Sequence, residues 1–165
     1  MSSDFNKLYR ERVDSIYRFV FFKVSDKDIA WDITQECFLK MWRQIQSGVA
    51  VKNSNALLYA IARNLVIDYW RQKDRGQNVA LDDVAHILRD DSDLFEDNAS
   101  KDEIARLLRC VDKLPEDQRE VVILRYVDDL PYSEIARVIG KNTVAARVAA
   151  HRAVRSLKKI MGNQK

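Results

Sequence analysis

Apolar residues recur every three or four positions through the N-terminal half of the chain, which is the spacing of one buried face on a helix. The first such stretch predicts a helix over residues 4–24. Ser25 and Asp26 then supply side-chain acceptors for the start of a second helix, which continues to Gly48. A third stretch predicts a helix over residues 56–75 with a cationic end. These three helices are enough to form a compact bundle.

The C-terminal part of the chain carries the same spacing in shorter segments. A capping-box pattern at Ser100 begins a helix that Pro115 ends. Further helices are predicted over residues 116–127, 133–139 and 143–161. The last of these is the longest, and its charged residues are basic.

The last two predicted helices are joined by a tight turn. Ala136 and Gly140 lie four residues apart, where a helix-turn-helix needs a small side chain between its helices and a backbone that tolerates positive φ. Many helical hairpins share this spacing. The turn therefore favours a DNA-binding helix-turn-helix only in combination with the charge pattern described below.

Residues 76–99 lose the helical periodicity and carry seven acidic residues against one basic residue. Such a segment cannot bury enough apolar surface to order itself strongly. The sequence therefore predicts an all-α protein of two small helical domains joined by an acidic linker. Residues 1–75 form the N-terminal helical bundle, residues 76–99 the linker, and residues 100–165 the helix-turn-helix domain.

Composition narrows the class of protein further. The 165 residues include only four Gly, two Pro and two Cys, which leaves few hairpin turns and no disulfide framework. No uninterrupted apolar run approaches the roughly 20 residues of a membrane-spanning helix, and no secretory leader pattern opens the chain. We therefore expect a cytoplasmic protein with no membrane insertion.

Charge is distributed unevenly, although the net charge is only +3. From Arg137 to Lys165 there are eight basic residues and no acidic residue. This pattern is typical of a surface that faces phosphates. A solvated basic helix without a partner is the alternative.

No arrangement of residues typical of catalysis is found in the sequence. His86 and His151 have no carboxylate or thiol partner at a spacing that indicates a nucleophile and its base. Cys37 and Cys110 lie outside any Cys/His cluster with metal-ligand spacing. The linker acids could hold a divalent cation, as in a nuclease, but acidic runs are far more often solvated. We expect no catalytic residue, no cofactor and no metal.

Two stretches of the first domain carry the strongest functional signals. Residues 32–42, DITQECFLKMW, form an amphipathic helix with distinct polar and apolar faces. Residues 58–75, LYAIARNLVIDYWRQKDR, interleave cations and an amide with Tyr69 and Trp70. This mixture suits a surface that stacks unpaired bases and follows a nucleic-acid backbone. An ordinary amphipathic helix and a pair of core aromatics are the alternatives.

These two stretches, together with LPEDQREVVILRYVDDLPYSEIA over residues 114–136, resemble three motifs of the bacterial sigma factors, specifically the extracytoplasmic-function group. The first stretch is similar to the core-polymerase-binding helix of that group, and the second to its minus-ten element helix. The resemblance implies partners: core RNA polymerase, promoter DNA as duplex and as single-stranded non-template strand, and an anti-sigma factor. It implies that the protein recognises the minus-thirty-five duplex and helps melt the minus-ten element.

The resemblance also implies roles for individual residues. It assigns binding of core polymerase to four residues of the first motif: Asp32, Gln35, Glu36 and Phe38. DNA binding falls to eight polar or cationic residues of later helices: Arg63, Asn64, Arg71, Lys73, Arg147, His151, Arg152 and Arg155. Asn64 matches the family's minus-ten amide, and the loop over residues 46–55 matches the segment that receives a flipped base.

Two features depart from the family's pattern. The arginine expected four residues before Asn64 is Ala60 here, so one expected DNA contact is missing. The last helix reads VAARVAA over residues 144–150, where the family usually has a more polar run. Because alanine cannot hydrogen-bond a base edge, we expect the arginines of this helix to make phosphate or groove contacts and direct readout to be thin. Recognition of DNA shape would tolerate this.

Two other classes of function stay open at this point. An autonomous helix-turn-helix transcriptional regulator would bind duplex operator without polymerase, usually as a dimer, yet no apolar stripe is left over for a dimer seam. A helical adaptor with no DNA role is disfavoured by the basic C-terminal segment, which contains no acidic residue.

Overall fold

The computed structural model describes residues 2–76 and 101–163. Every regular element in these two ranges is a helix, which confirms the all-α prediction. The chain divides into two compact units, of which these ranges are the described parts. The predicted linker over residues 76–99, except for Gly76, and the predicted cap at Ser100 lie outside the described residues.

The first unit is a three-helix bundle, as the hydrophobic spacing predicted. Its helices are α1 (Ser2–Val24), α2 (Lys27–Gln46) and α3 (Ser54–Gly76). Each helix packs against the other two. The bundle therefore has one core, which all three apolar faces share.

Side-chain caps begin the second and third helices. Asp26 Oδ1 accepts a 2.9 Å hydrogen bond from Ile29 N, which confirms the predicted cap of α2. The preceding Ser25 has a φ of 54°, a left-handed conformation that reverses the chain in two residues. Asn53 Oδ1 accepts a 2.9 Å hydrogen bond from Ala56 N and begins α3.

The core of the first unit consists of large apolar side chains from all three helices. Its largest fully buried members include Ile16, Phe19, Met41, Leu58 and Tyr59. The Phe19 and Tyr59 rings pack edge to face, with their centroids 5.3 Å apart. Burial of each such side chain contributes about 1.5–3 kcal/mol to folding, so the bundle provides a rigid support for its surface residues.

The described part of the second unit, residues 101–163, contains four α-helices and one π-helix. They are α4 (Lys101–Asp112), α5 (Glu116–Val122), the π-helix Ile123–Val127, α6 (Tyr132–Ile139) and α7 (Thr143–Gly162). The sequence predicted a single helix over residues 116–127, where the structure has α5 followed directly by the π-helix. α7 packs against α4, α5 and α6, so it is the central helix of this unit.

Alanines form the buried face of α7. Ala146, Ala150 and Ala153 are all fully buried. Their small side chains let the neighbouring helices approach α7 closely. Ala153 belongs to an apolar cluster that also contains Val111, Leu114, Val122, Leu157 and Ile160. Much of the alanine content of this helix therefore serves packing and leaves the opposite face to other residues.

Candidate functional site

Helices α6 and α7 form a helix-turn-helix with a three-residue turn. Gly140 has a φ of 68°, a conformation that residues with a Cβ atom rarely adopt. Lys141 N donates a 2.9 Å hydrogen bond to Ala136 O, which closes the end of α6. Asn142 Oδ1 accepts a 2.8 Å hydrogen bond from Ala145 N and begins α7. The predicted turn and cap are confirmed.

The structure brings together the four candidate DNA-binding residues of α7. All four are exposed and line one groove of about 550 Å³: Arg147, His151, Arg152 and Arg155. Tyr126 of the π-helix and Tyr132 of α6 complete its polar lining, and no acidic residue lines it. The groove therefore presents clustered positive charge to an anionic ligand.

Tyr132 orients two arginines beside this groove. The Cζ atoms of Arg125 and Arg147 lie 4.8 Å and 5.6 Å from the centroid of its ring, within the range of cation–π attraction. Arg125 Nη1 also donates a 3.1 Å hydrogen bond to Leu130 O. Arg125 thus supports the ring from the π-helix, while the exposed Arg147 keeps donors for a ligand.

Tyr126 is a candidate functional residue that sequence reasoning missed. It is 57% exposed, and it lies in the π-helix, where Asp128 N donates a 2.9 Å hydrogen bond to Ile123 O. Partial burial, followed by interaction with Tyr132, raises the pKa of Tyr126 above its ordinary value. The interaction with Tyr132 includes a side-chain hydrogen bond, so the two hydroxyls are linked within the lining of the groove. Such π turns occur frequently at functional sites.

The candidate polymerase-binding residues of α2 are divided between surface and core. Asp32 is exposed, and Gln35 and Glu36 are half-buried. Phe38 is only 3% exposed, and its ring packs edge-on against Tyr9 with centroids 4.8 Å apart. Three of the four residues are thus available at the surface, whereas Phe38 belongs mainly to the core of the bundle.

Phe38 nevertheless reaches an aromatic cleft of about 320 Å³ between α1 and α2. Seven residues line this cleft: Phe5, Asn6, Tyr9, Gln35, Phe38, Leu39 and Trp42. Gln35 Nε2 donates a 3.4 Å hydrogen bond to Tyr9 Oη. Leu39, which sequence reasoning did not select, is 48% exposed. The cleft thus combines an apolar interior with a polar border.

The candidate minus-ten residues lie along α3. Asn64 and Arg71 are exposed, whereas Arg63 and Lys73 are half-buried. Lys73 Nζ lies 5.0 Å from the ring centroid of Trp70 and 5.6 Å from that of Tyr69. The two rings are themselves half-buried. Each ring therefore has one part packed in the bundle and one part at the surface. Packing in the core and stacking on unpaired bases are thus not exclusive alternatives for this pair.

The connection between α2 and α3 contains the candidate base-receiving loop. Gly48 has a φ of 77°, and Val49 is 56% exposed. On the neighbouring helix, Ala60, which stands where the family has an arginine, is half-buried. The loop therefore offers an exposed apolar residue, whereas the position of Ala60 offers no charge to DNA.

Cys37 is a structural residue in this bundle. Burial raises the pKa of its thiol to about 12, and Cys37 Sγ donates a 3.3 Å hydrogen bond to Leu58 O. Among the described residues, no group of three or more His, Cys, Asp or Glu side chains is placed to hold a metal ion. None of the helices in the two described ranges has the length and apolar character needed to cross a membrane.

Family comparisons match both units of the chain. The family model for sigma-70 region 2 matches residues 8–76, and the model for sigma-70 region 4 matches residues 104–157. The chain belongs to the sigma-70 family. Members of this family are sigma factors, which are not enzymes.

Individual relatives indicate the extracytoplasmic-function (ECF) group. The ECF RNA polymerase sigma factor BldN of Streptomyces coelicolor is 34% identical over 161 residues, which are 95% of this chain and 60% of that protein. SigX of Bacillus subtilis is 26% identical over 165 residues, which are 98% of this chain and 85% of that protein. The chain is thus an ECF-type sigma factor, as its three motifs indicated, although it spans only 60% of the length of BldN.

Solved structures show the same fold. The sigma factor RpoE in complex with the anti-sigma factor NepR from Bartonella quintana matches with a TM-score of 0.70 at 21% identity, over 98% of this chain and 99% of that one. CnrH in complex with the cytosolic domain of CnrY matches with a TM-score of 0.70 at 18% identity, over 100% and 92%. None of these comparisons favours an autonomous regulator.

Proposed function

We propose that this chain binds core RNA polymerase and directs it to specific promoters, where it recognises the minus-thirty-five duplex and helps melt the minus-ten element. The observation that carries the proposal is the presence of both sigma-70 regions in order, with the cations of region 4 gathered in one groove. The protein acts by binding and breaks no covalent bond. Its place of action is the cytoplasm, where core polymerase and promoter DNA meet.

The two units divide this work between them. Residues 1–75 bind core polymerase and the minus-ten element, and residues 100–165 bind the minus-thirty-five element. Residues 76–99 tether the two, and an extended tether of this length can span roughly 80 Å. Two turns of duplex cover only about 70 Å. The tether is thus long enough for both units to contact one promoter at the same time.

Core polymerase is bound at the surface of α2. The aromatic cleft with the exposed Leu39 supplies the apolar centre, Gln35 lies at its polar border, and Asp32 and Glu36 add polar contacts from the same helix. An apolar centre within a polar rim is the usual anatomy of a protein interface. Phe38 contributes from inside the cleft, where an inserted side chain of the partner can reach its ring.

The non-template strand of the minus-ten element is held along α3. The exposed amide of Asn64 reads a base, and Arg63, Arg71 and Lys73 hold the backbone. Lys73 is kept near the surface by the Trp70 ring beneath it. Extruding a base from the duplex costs a few kcal/mol, which the loop before α3 offsets by accepting that base.

The minus-thirty-five duplex is held by α7. The helix inserts into the major groove of the duplex. The phosphates on either side of that groove are contacted by four residues of the cationic groove: Arg147, His151, Arg152 and Arg155. Such contacts fix the register of the protein on the duplex without reading its sequence. Tyr126 lines the same cationic groove.

A protein inhibitor is a further partner. The fold neighbours RpoE and CnrH were each solved with a bound protein, the anti-sigma factor NepR and the cytosolic domain of CnrY. This chain offers an inhibitor two surfaces, an apolar cleft on the first unit and a cationic groove on the second. An inhibitor that covers either surface would block binding to polymerase or to DNA.

The proposal is tested by adding the purified full chain to core polymerase freed of other sigma factors and sequencing the transcripts made on genomic DNA fragments. We expect initiation at discrete start sites only when both components are present. A variant with Arg147, Arg152 and Arg155 replaced by Ala should still bind core polymerase and lose promoter-specific initiation. Tight, sequence-specific binding of duplex by the chain alone, without initiation by the mixture, would instead establish an autonomous regulator.

A further inference from the structure

Two valines are exposed on the first two turns of α7. Val144 is 70% exposed and Val148 is 43% exposed. Residues four apart share one face of a helix, and this face lies opposite the one formed by the buried Ala146, Ala150 and Ala153. The two valines therefore contribute little to the core, and a β-branched apolar residue at an exposed helix position has no local structural advantage.

Cations surround this pair of valines. Arg147 lies between them in sequence, and His151 continues the same face one turn later. Val148 lines the cationic groove together with Arg152 and Arg155. The whole segment from residue 137 to residue 165 contains no acidic residue. Charge complementarity therefore favours duplex DNA as the occupant of this face.

The chemistry of valine restricts what it can recognise on DNA. In a helix-turn-helix, the N-terminal residues of the second helix contact base edges in the major groove. Valine has methyl groups and no hydrogen-bonding group, and the apolar group that base edges present in the major groove is the C5-methyl of thymine. We infer that Val144 and Val148 read thymine methyl groups in the upstream duplex element. This inference rests on the proposed function, in which α7 contacts that duplex.

The spacing of the valines predicts the spacing of the thymines. Four residues rise about 6 Å along a helix, and successive base pairs rise about 3.4 Å along the duplex. The two recognised thymines should therefore lie about two base pairs apart, on either strand. The inference departs from the expectation of thin readout by an alanine-rich helix, because the buried alanines leave two exposed valines on the opposite face.

The test uses holoenzyme assembled from the full chain and core polymerase, with a duplex library randomised over the upstream element. The library is made in two forms, with thymine or with uracil at every T position. Uracil keeps every hydrogen-bonding group and lacks only the methyl. We expect selected duplexes to carry thymine at two positions about two base pairs apart. Replacing either thymine by uracil should weaken binding about fourfold, the value of one buried methyl group.

Single variants then assign each thymine to a valine. Val144→Ala should abolish the effect of uracil at one position and Val148→Ala at the other, without unfolding the unit, because both side chains are exposed and alanine favours helix. Leu107→Ala is the matched control. It removes a side chain with the same 43% exposure as Val148 from α4 instead of α7, and it should behave like the wild type.

Three outcomes would overturn the inference, and one of them also overturns the proposed function. Equal binding of thymine and uracil duplexes by wild-type holoenzyme overturns the inference alone, as long as upstream sequences are still enriched. If uracil weakens binding in both valine variants as much as in the wild type, the inference also fails, because the valines then do not contact the methyl groups. If holoenzyme enriches no upstream sequence at all, both the inference and the assignment of α7 to the duplex fail.

Discussion

The indole Nε1 of Trp70 donates a 3.2 Å hydrogen bond to the backbone carbonyl oxygen of Lys23. This bond joins the C-terminal part of α3 to the end of α1, across 47 positions of sequence. It fixes one edge of the indole ring, while Lys73 Nζ lies 5.0 Å from the ring centroid. The aromatic end of α3 is therefore held in place before any DNA binds, which lowers the entropic cost of binding a single strand.

Replacing Trp70 by Phe tests this anchor, because an aromatic ring stays and the N–H donor is lost. We expect the free energy of unfolding to decrease by about 1 kcal/mol, the net value of one such hydrogen bond, in urea denaturation followed by circular dichroism. Trp31→Phe is the matched control, because Trp31 is 46% exposed. This substitution should change the free energy of unfolding by less than about 0.5 kcal/mol. Equal losses in both variants would show that ring size alone matters.

Cys37 leads to a prediction at alkaline pH. Burial raises the pKa of its thiol from 9.0 to about 12. Between these two values the unfolded chain loses a proton that the folded chain keeps. The stabilisation is therefore fully present below about pH 9 and decreases as the pH rises towards 12, by at most about 1.4 kcal/mol per pH unit.

Urea unfolding of the wild type and of Cys37→Ala at pH 8 and pH 10 measures this contribution, since other titrating groups act equally in both proteins. The destabilisation caused by the substitution should be smaller at pH 10 than at pH 8. Iodoacetamide at pH 8 should leave Cys37 unmodified in the folded protein and modify it in urea. Rapid alkylation of the folded protein at Cys37 would contradict a buried, protonated thiol.

Gln35 and Glu36 lead to a prediction about polymerase binding. Replacing both by Lys adds a positive charge at the border of the aromatic cleft, reverses the charge of the neighbouring residue 36, and removes the hydrogen bond from Gln35 to Tyr9. We expect binding to core polymerase to weaken about tenfold or more, with an unchanged circular dichroism spectrum. Glu11→Lys makes the same Glu-to-Lys change on α1, where the side chain is 54% exposed, and should bind normally. Undiminished co-purification of the double variant with polymerase would refute this surface.

The helices and their caps could be predicted from sequence because the signals for them are local. The buried stripes of α1, α2 and α3 repeat with the helical period, and this period requires no knowledge of the partner helix. Asp26 and Asn142 each accept a hydrogen bond from a backbone N–H three residues later. Their effect is therefore visible within one turn of sequence.

Features that depend on a neighbouring element could not be predicted in this way. Phe38 has the sequence context of an interface residue, but Phe5 and Tyr9 of α1 cover its ring. The π-helix has no periodic signature, so the exposure of Tyr126 was not visible. The alanines of α7 could not be assigned to its buried face from composition, because composition does not tell which side of a helix is buried.

Asn64 and Arg152 should affect DNA binding differently, because one side chain is a neutral amide and the other a cation. Arg152→Ala removes one phosphate contact, so holoenzyme should bind all promoters about equally less tightly and the salt dependence of log affinity should fall by about 1. Asn64→Ala removes an exposed amide from α3, so it should change discrimination among minus-ten sequences and leave the salt dependence unchanged. Binding of holoenzyme to duplex and pre-melted promoters across a salt series measures both effects. A uniform loss with Asn64→Ala, together with altered sequence preference with Arg152→Ala, would reverse the roles assigned to the two helices.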